Sequence, residues 1–543
     1  MPSSRSAHRL EATLFLCILL VQLLHGAALI YRTSFVSDGT RYFVLADDEM
    51  ISMRYARNLV RGDGPVWNPG GERVEGFSNP LWVLLMAGVH LLGFSAAKAG
   101  LAVQVIGVLL LALNLIVLRR LARAVAPGLP AAGLLAALFA ALYFPLNLYT
   151  ALGFEVSLVA LILSTSALLA VNALKVERFP TGAFILLGAG TWVRLDVAVA
   201  FMALLAVILV LDPPRRRRTL GTAAAILLAF LGTQTACRLL YYGQWFPNPY
   251  YLKMTGYPVF LRIARGALVL WDFVWRSNMV LFLLAFLYPL YKKDRLLALL
   301  AALPAGQMLY SVYAGGDSWE FWGLGNRFVL VGMPLLFLLL GVMAAEVLSK
   351  CSARWPEAGR LRGWAAAALA ALLLFNLNSP YAVASAGEWL SLKPILDMPS
   401  NKRQLEAGRF IQSITRPGAV VAVAWGGIVP YFTDLPCVDL TGKNDPDIAR
   451  LPMRTFDQNP SLFPYNNLTR SRYTFFYPGH LKWDYAHSLG RLAPDVILQL
   501  WGEPKEAEPF LKSYSRVPYV DGTLYARTGS DRVLWERVAA EEK

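Results

Sequence analysis

Residues 97–118 read AKAGLAVQVIGVLLLALNLIVL, and Arg119 and Arg120 follow at once. As a helix this run rises about 33 Å at 1.5 Å per residue, enough to cross a hydrocarbon core of about 30 Å. Basic pairs collect on the cytoplasmic side of a span, so the run also fixes a direction. Working outward, spans are predicted at 10–31, 97–118, 129–147, 156–174, 180–193, 196–211, 219–241, 277–291, 296–312, 328–346 and 363–378. The shorter run 80–93, PLWVLLMAGVHLLG, fits an interfacial helix on the outer surface. Were it to cross, Arg119 and Arg120 would face outside.

These eleven crossings bring every strongly basic joint to the cytoplasm. The joints are Arg5 with Arg9, Arg119 to Arg123, Lys175 with Arg178, Arg215 to Arg218, Lys292 to Arg295, and Lys350 to Arg362. The N-terminus is then cytoplasmic, run 10–31 an uncleaved signal-anchor, and the C-terminal region extracytoplasmic.

Composition agrees with this reading. Of 543 residues, 56% are hydrophobic and 16% charged, against about 25% charged in soluble domains. Mean hydropathy is +0.46. The apolar residues lie in long runs, which excludes disorder, collagen and coiled coil. The net charge of +15 is first a matter of topology. No soluble basic face points to nucleic acid. Cys17, Cys237, Cys351 and Cys437 have no short spacing, so neither a zinc site nor a disulfide framework is expected.

After Asn378 the pattern changes to scattered Pro, Gly, Trp and charge. The chain is therefore expected to divide into a membrane domain, 1–378, and a soluble extracytoplasmic domain, 379–543. Ala419–Ala424, Val496–Leu500 and Ser515–Tyr519 look like strands, which suggests an α/β or α+β module. No internal repeat is visible, which weakens a transporter reading.

The outer joints are rich in acids, aromatics, Gly and Asn, and chemistry is expected there. The longest, 32–96, contains Ala46-Asp47-Asp48-Glu49-Met50-Ile51-Ser52-Met53-Arg54-Tyr55-Ala56-Arg57-Asn58-Leu59. Helical spacing groups Asp47, Ile51, Arg54, Tyr55 and Asn58 on one face. Asp47 and Asp48 open that helix, where backbone dipoles favour a carboxylate. Each suits a general base, and each equally suits a helix cap. Trp82 reads as an interfacial anchor, and Trp67 as anchor or sugar contact.

Asp47-Asp48, Arg54-Tyr55-Ala56-Arg57-Asn58-Leu59, Trp67-Asn68-Pro69 and Glu72-Arg73-Val74-Glu75-Gly76 resemble the first-loop motif of bacterial GT-C glycosyltransferases. The relatives in view are the polyprenyl-phosphate-sugar-dependent terminal arabinofuranosyltransferases of actinobacterial cell wall and pilin. Gly153-Phe154-Glu155, Pro247 to Lys253, Gly315-Gly316-Asp317, Arg327 and Pro478 to Asp484 resemble later motifs. Gly442-Lys443-Asn444-Asp445 stands where Gly-Leu-Asn-Asp is expected, which leaves acceptor and sugar open.

The resemblance implies a multi-pass enzyme of the inner (plasma) membrane with a catalytic acidic first loop. Its donor is a polyprenyl-phosphate sugar, such as arabinofuranose, and its acceptor an extracytoplasmic glycan or glycoprotein. Transfer passes through an oxocarbenium-like state and needs a base and cations for the departing phosphate. Asp47 is the first choice of base and Asp48 the second. Arg54, Arg57, Arg194, Lys253 and Arg327 are the phosphate candidates. Asp317, Glu155, Glu72, Trp67, His480 and Lys482 are the acceptor candidates. No cofactor is obligatory. A divalent cation, Mg²⁺ or Mn²⁺, at Asp47, Asp48 and Asp317 stays open. The rival readings are a lipid-linked-sugar flippase and a non-catalytic envelope glycan-assembly protein.

Overall fold

A computed structural model describes residues 4–211, 216–322, 325–354, 359–382, 386–390, 392, 398–454, 476–519 and 522–541. Arg215 and residues 355–358 of the basic joints lie outside the described residues. The chain folds as two compact units. One comprises Met1–Arg32, Gln104–Gln234 and Gly266–Pro394, and the other Thr33–Val103, Thr235–Arg265 and Ile395–Lys543.

The chain is mostly helical, and every predicted span has a helix. Among the described residues, six helices are long and apolar enough to cross a membrane: Arg9–Thr33, Ala96–Val125, Val156–Lys175, Arg216–Tyr242, Arg295–Ala314 and Met333–Arg354. The number becomes eight if each of two bent pairs is one span. Pro130–Leu142 and Phe144–Ala151 meet at 52°, and Val259–Arg276 and Met279–Lys292 at 96°. Thr181–Gly190 and Val197–Leu211 are shorter. At 1.5 Å per residue they rise about 15 and 22 Å, less than a full crossing. The turn between them contains Arg194 and Asp196. The predicted spans 180–193 and 196–211 part at this same break.

Within the first unit the helices pack through small residues. A Cβ on Gly341 would fall 2.7 Å from the Ala132 carbonyl, and one on Gly266 2.2 Å from that of Val312. Small side chains let membrane helices approach this closely. At one end of the bundle Glu11 pairs with Arg119 (3.1 Å) and Arg123 (3.0 Å).

The second unit is built on a five-stranded sheet. A separate hairpin, β1 (Phe35–Ser37) with β2 (Thr40–Tyr42), precedes it in the chain. The sheet strands are β3 (Val421–Val423), β4 (Cys437–Asp439), β5 (Val496–Ile497), β6 (Tyr514–Tyr519) and β7 (Gly522–Arg527). Their order is β4-β3-β5-β7-β6. β4, β3 and β5 are parallel, while β7 runs antiparallel to both β5 and β6. Ala422, Val438, Trp483, Tyr485, Leu489 and Ile497 form a core around it. The sequence signals β3, β5 and β6. It does not signal β4 or β7.

Helix Asp47–Arg61 belongs to this unit and packs against Pro80–Leu91. The latter is a 12-residue helix, too short to cross. Trp82 on it is fully buried, which corrects the expectation of an interfacial anchor: the indole belongs to the protein core.

Candidate active site

The acids of the first loop are held by loops of the sheet within the second unit. Ala46 is the N-cap of helix Asp47–Arg61, and no side chain caps that end. Asp47 is not spent as a cap. Its Oδ1 instead accepts N–H bonds from Gly427 (3.1 Å) and Ile428 (2.9 Å), just beyond β3. A Cβ on Gly427 would fall 1.9 Å from the Asp47 carbonyl, so only glycine fits there. Burial pushes the Asp47 carboxyl up to about 7. The Ile428 N–H opposes this, the neighbouring Asp48 charge reinforces it, and Lys443 and the Gly427 N–H oppose it again. A carboxyl tuned near neutrality suits proton abstraction.

Asp48 pairs with the Lys443 ammonium. Lys443 stands in a loop beyond β4 that is organised by buried Asp439. Asp439 Oδ1 accepts from the N–H groups of Thr441 (2.9 Å) and Gly442 (3.1 Å) and from the Thr441 hydroxyl (2.8 Å). Its Oδ2 accepts from the Asn444 backbone (2.7 Å) and side chain (2.9 Å). Asn248 donates from its side chain to the carbonyls of Gly442 (2.9 Å) and Lys443 (3.0 Å). The loop is thus fixed from both sides.

The Arg54 guanidinium, 1% exposed, donates to the carbonyls of Trp67, Pro430 and Leu435 and to Asn68 Oδ1. Arg57 donates to the Tyr431 carbonyl and to Asp434, and burial draws it down to about 10. These bonds corset the loop, and the Arg54 donors face protein carbonyls rather than a ligand. Trp67 is buried, with its indole N–H on the Gly426 carbonyl (3.0 Å). Lys482 is fully buried and donates to the carbonyls of Tyr251 (3.0 Å), Thr255 (2.9 Å) and Ala449 (2.7 Å). Burial lowers its ammonium to about 8.

Lys253 is partly exposed, and its stem lies beside Gly479, where a Cβ would come within 3.0 Å of Lys253 Cε. His480 follows directly. Burial draws its imidazole down to about 4, and Lys253, Asp48 and Lys443 are charged groups acting on it. Glu72 is exposed. Partial desolvation and then the charges of Asp445 and Asp447 raise its carboxyl above the ordinary range.

Four other sequence-predicted residues come together in the first unit. Arg194 forms a bidentate pair with Asp196 (2.9 and 2.9 Å) and lies 3.6 Å from Glu155. Arg327 grips Asp317 the same way (2.6 and 2.8 Å). Its guanidinium lies 4.6 Å from the Phe154 ring. Asp317 is thus committed to Arg327 and lies in a different unit from Asp47 and Asp48. Among the described residues, the group of potential metal ligands is Asp445, Asp447 and His487, within 4.8 Å of one another. There Asp445 also caps helix Pro446–Ala449 and accepts from His487 Nε2 at 2.7 Å, and Asp447 is paired with Arg491.

Sequence reasoning missed Asp439, Gly427 and Lys443 as the supports of the acid pair. The Gly426-Gly427 pair after the apolar run AVVAVA is the signal that points there.

Residues 395–529 match a family model described as a domain of unknown function (DUF8728). No curated protein sequence matches the chain. The fold is similar to that of the Archaeoglobus fulgidus oligosaccharyltransferase tethered to an acceptor peptide containing the NVT sequon. That match has 13% identity and a TM-score of 0.50, over 96% of this chain and 74% of the other. It is also similar to ArnT from Cupriavidus metallidurans bound to undecaprenyl phosphate, at 13% identity and a TM-score of 0.50. That match spans 97% of this chain and 99% of ArnT. The chain is a helical multi-pass membrane protein with the GT-C type of fold and an α/β sheet domain toward its C-terminus.

Proposed function

We propose that the chain is an inverting membrane glycosyltransferase, moving a sugar from a polyprenyl phosphate to an extracytoplasmic glycan or glycoprotein. Asp47, drawn up toward neutrality beside the Asp48–Lys443 pair, is the observation that carries this reading. The shared fold with a structure holding undecaprenyl phosphate supports a lipid-linked donor. The resemblance of the first loop makes arabinofuranose the first sugar to test.

In this reading Asp47 takes the proton of the acceptor hydroxyl. That oxygen bonds to the anomeric carbon as the bond from carbon to phosphate oxygen breaks. The polyprenyl phosphate departs with the electron pair, and the configuration inverts. Lys443, paired with Asp48, and Lys253, beside Gly479, offer positive charge for the departing phosphate. The acid pair faces the extracytoplasmic side, with the N-terminus cytoplasmic.

The test uses the full chain in lipid nanodiscs with a panel of labelled polyprenyl-phosphate sugars and crude envelope glycans. Sugar transfer by the wild type, lost in Asp47→Asn with donor binding kept, supports the reading. Full turnover by Asp47→Asn removes the base assignment. Lipid movement across vesicles without transfer replaces the enzyme with a flippase.

A further inference from the structure

Parallel sheets bind ligands outside the carboxyl ends of their strands, where the strand order reverses. Here the chain passes from β3 to β4 on one side, then returns to β5 on the other side of β3. The reversal therefore falls between β3 and β5. Trp425 stands two residues beyond β3 and Trp501 four beyond β5. Their ring centroids are 5.6 Å apart at 69°. The His480 ring completes the group, 6.0 Å from Trp425 and 5.4 Å from Trp501.

All three residues are partly exposed, whereas Tyr477, stacked on His480 at 4.2 Å, is buried. The Trp501 indole N–H is fixed on the His480 carbonyl (3.1 Å). His480 Nδ1 faces the Pro478 carbonyl (2.9 Å), which assigns its proton to Nδ1 and leaves Nε2 an acceptor. Among the described residues, Nε2 and the Trp425 indole N–H engage no protein partner. The group thus combines aromatic faces, one donor and one acceptor. A sugar ring presents the matching surface: a face of weakly positive C–H groups, edged by hydroxyls that both donate and accept.

The same loops lead to the acid pair. Trp425 precedes Gly427 and Ile428, which hold Asp47, and His480 follows Gly479, which lies on Lys253. We propose that Trp425, His480 and Trp501 form a saccharide subsite that seats one sugar ring of the acceptor beside Asp48 and Lys443. Its assignment to the acceptor rests on the glycosyl-transfer reading; saccharide binding itself does not.

The experiment titrates the full chain in nanodiscs with an α-1,5-linked arabinofuranosyl trisaccharide, an α-1,6-linked mannotriose and maltotriose, followed by tryptophan fluorescence and saturation-transfer NMR. At least one probe is expected to bind wild type and Asp47→Asn alike. Trp425→Ala and Trp501→Ala should weaken it at least roughly tenfold, or about 1.4 kcal/mol, with Trp425→Phe largely restoring it. Thermal melts check that each variant is folded. In the transfer assay the acceptor KM should rise by a similar factor while the donor KM stays. Binding that depends on Trp425 without transfer from any donor keeps the subsite and refutes the enzyme. Failure of all three probes to bind wild type, unchanged binding in both alanine variants, or a rise in the donor KM alone overturns the subsite.

Discussion

At the scale of single residues the proposed transfer turns on how Asp47 is tuned. Its carboxyl is raised to about 7 in the folded chain, so the ionised form is the costly one. Its contribution to stability is full below the ordinary carboxylate range and is lost as the pH climbs through about 7. Catalysis runs the other way, because a base must be ionised. The kcat/KM profile should therefore rise through about pH 7. Asp48→Asn removes a repelling charge and should move the midpoint down; Lys443→Met removes an attracting one and should move it up. Profiles of the three proteins check both signs, and equal midpoints would detach Asp47 from the rate. Asp47→Asn itself should lower kcat by roughly a hundredfold to ten-thousandfold. The sequence put the acids at the start of a helix, and they are seen there. It did not show that Arg54 would be walled in by carbonyls, because two of them come from positions 376 and 381 residues away.

At the scale of elements, two short loops beyond β3 and β4 set the site. Gly427→Ala would drive a methyl group into the first turn of helix Asp47–Arg61. Transfer should fall at least roughly tenfold with donor binding retained, read as a kcat effect. Asp439→Asn keeps the shape of the side chain but turns one acceptor into a donor facing backbone N–H groups. It should cost about 1–3 kcal/mol in thermal or denaturant unfolding. It should also loosen the Lys443 loop, so the Asp48-dependent shift in the pH profile shrinks. The long helices were legible from hydropathy alone. The bends of 52° and 96° were not, since apolar content is blind to direction.

At the scale of the molecule, the second unit joins chain segments that the sequence separates. Residues 33–103 and 395–543 belong to one compact body, along with 235–265. Within it Arg238 forms a buried ion pair with Glu75 of the first loop. Burial raises the Glu75 carboxyl, and Arg238 opposes the rise. Glu75→Gln strands the guanidinium and should cost about 3–5 kcal/mol, whereas Glu75→Leu with Arg238→Met should recover most of the loss. Melting curves of the single and double variants in one detergent make the comparison. A contiguous division at residue 378 is the natural reading of composition, because composition records where polarity changes and not which segments share a core.

The long reach of these contacts bears on how the protein is made. Asp48 and Lys443 are separated by 395 positions. At roughly 5–20 residues per second, the first loop is synthesised on the order of 20–80 s before its partner exists. Throughout that interval its acids and Arg54 lack the carbonyls and cations that will enclose them. Biogenesis thus requires the nascent loop to wait, open and hydrated, until the last quarter of the polypeptide arrives. A truncated product would leave the first loop without its enclosure rather than make a smaller version of the protein.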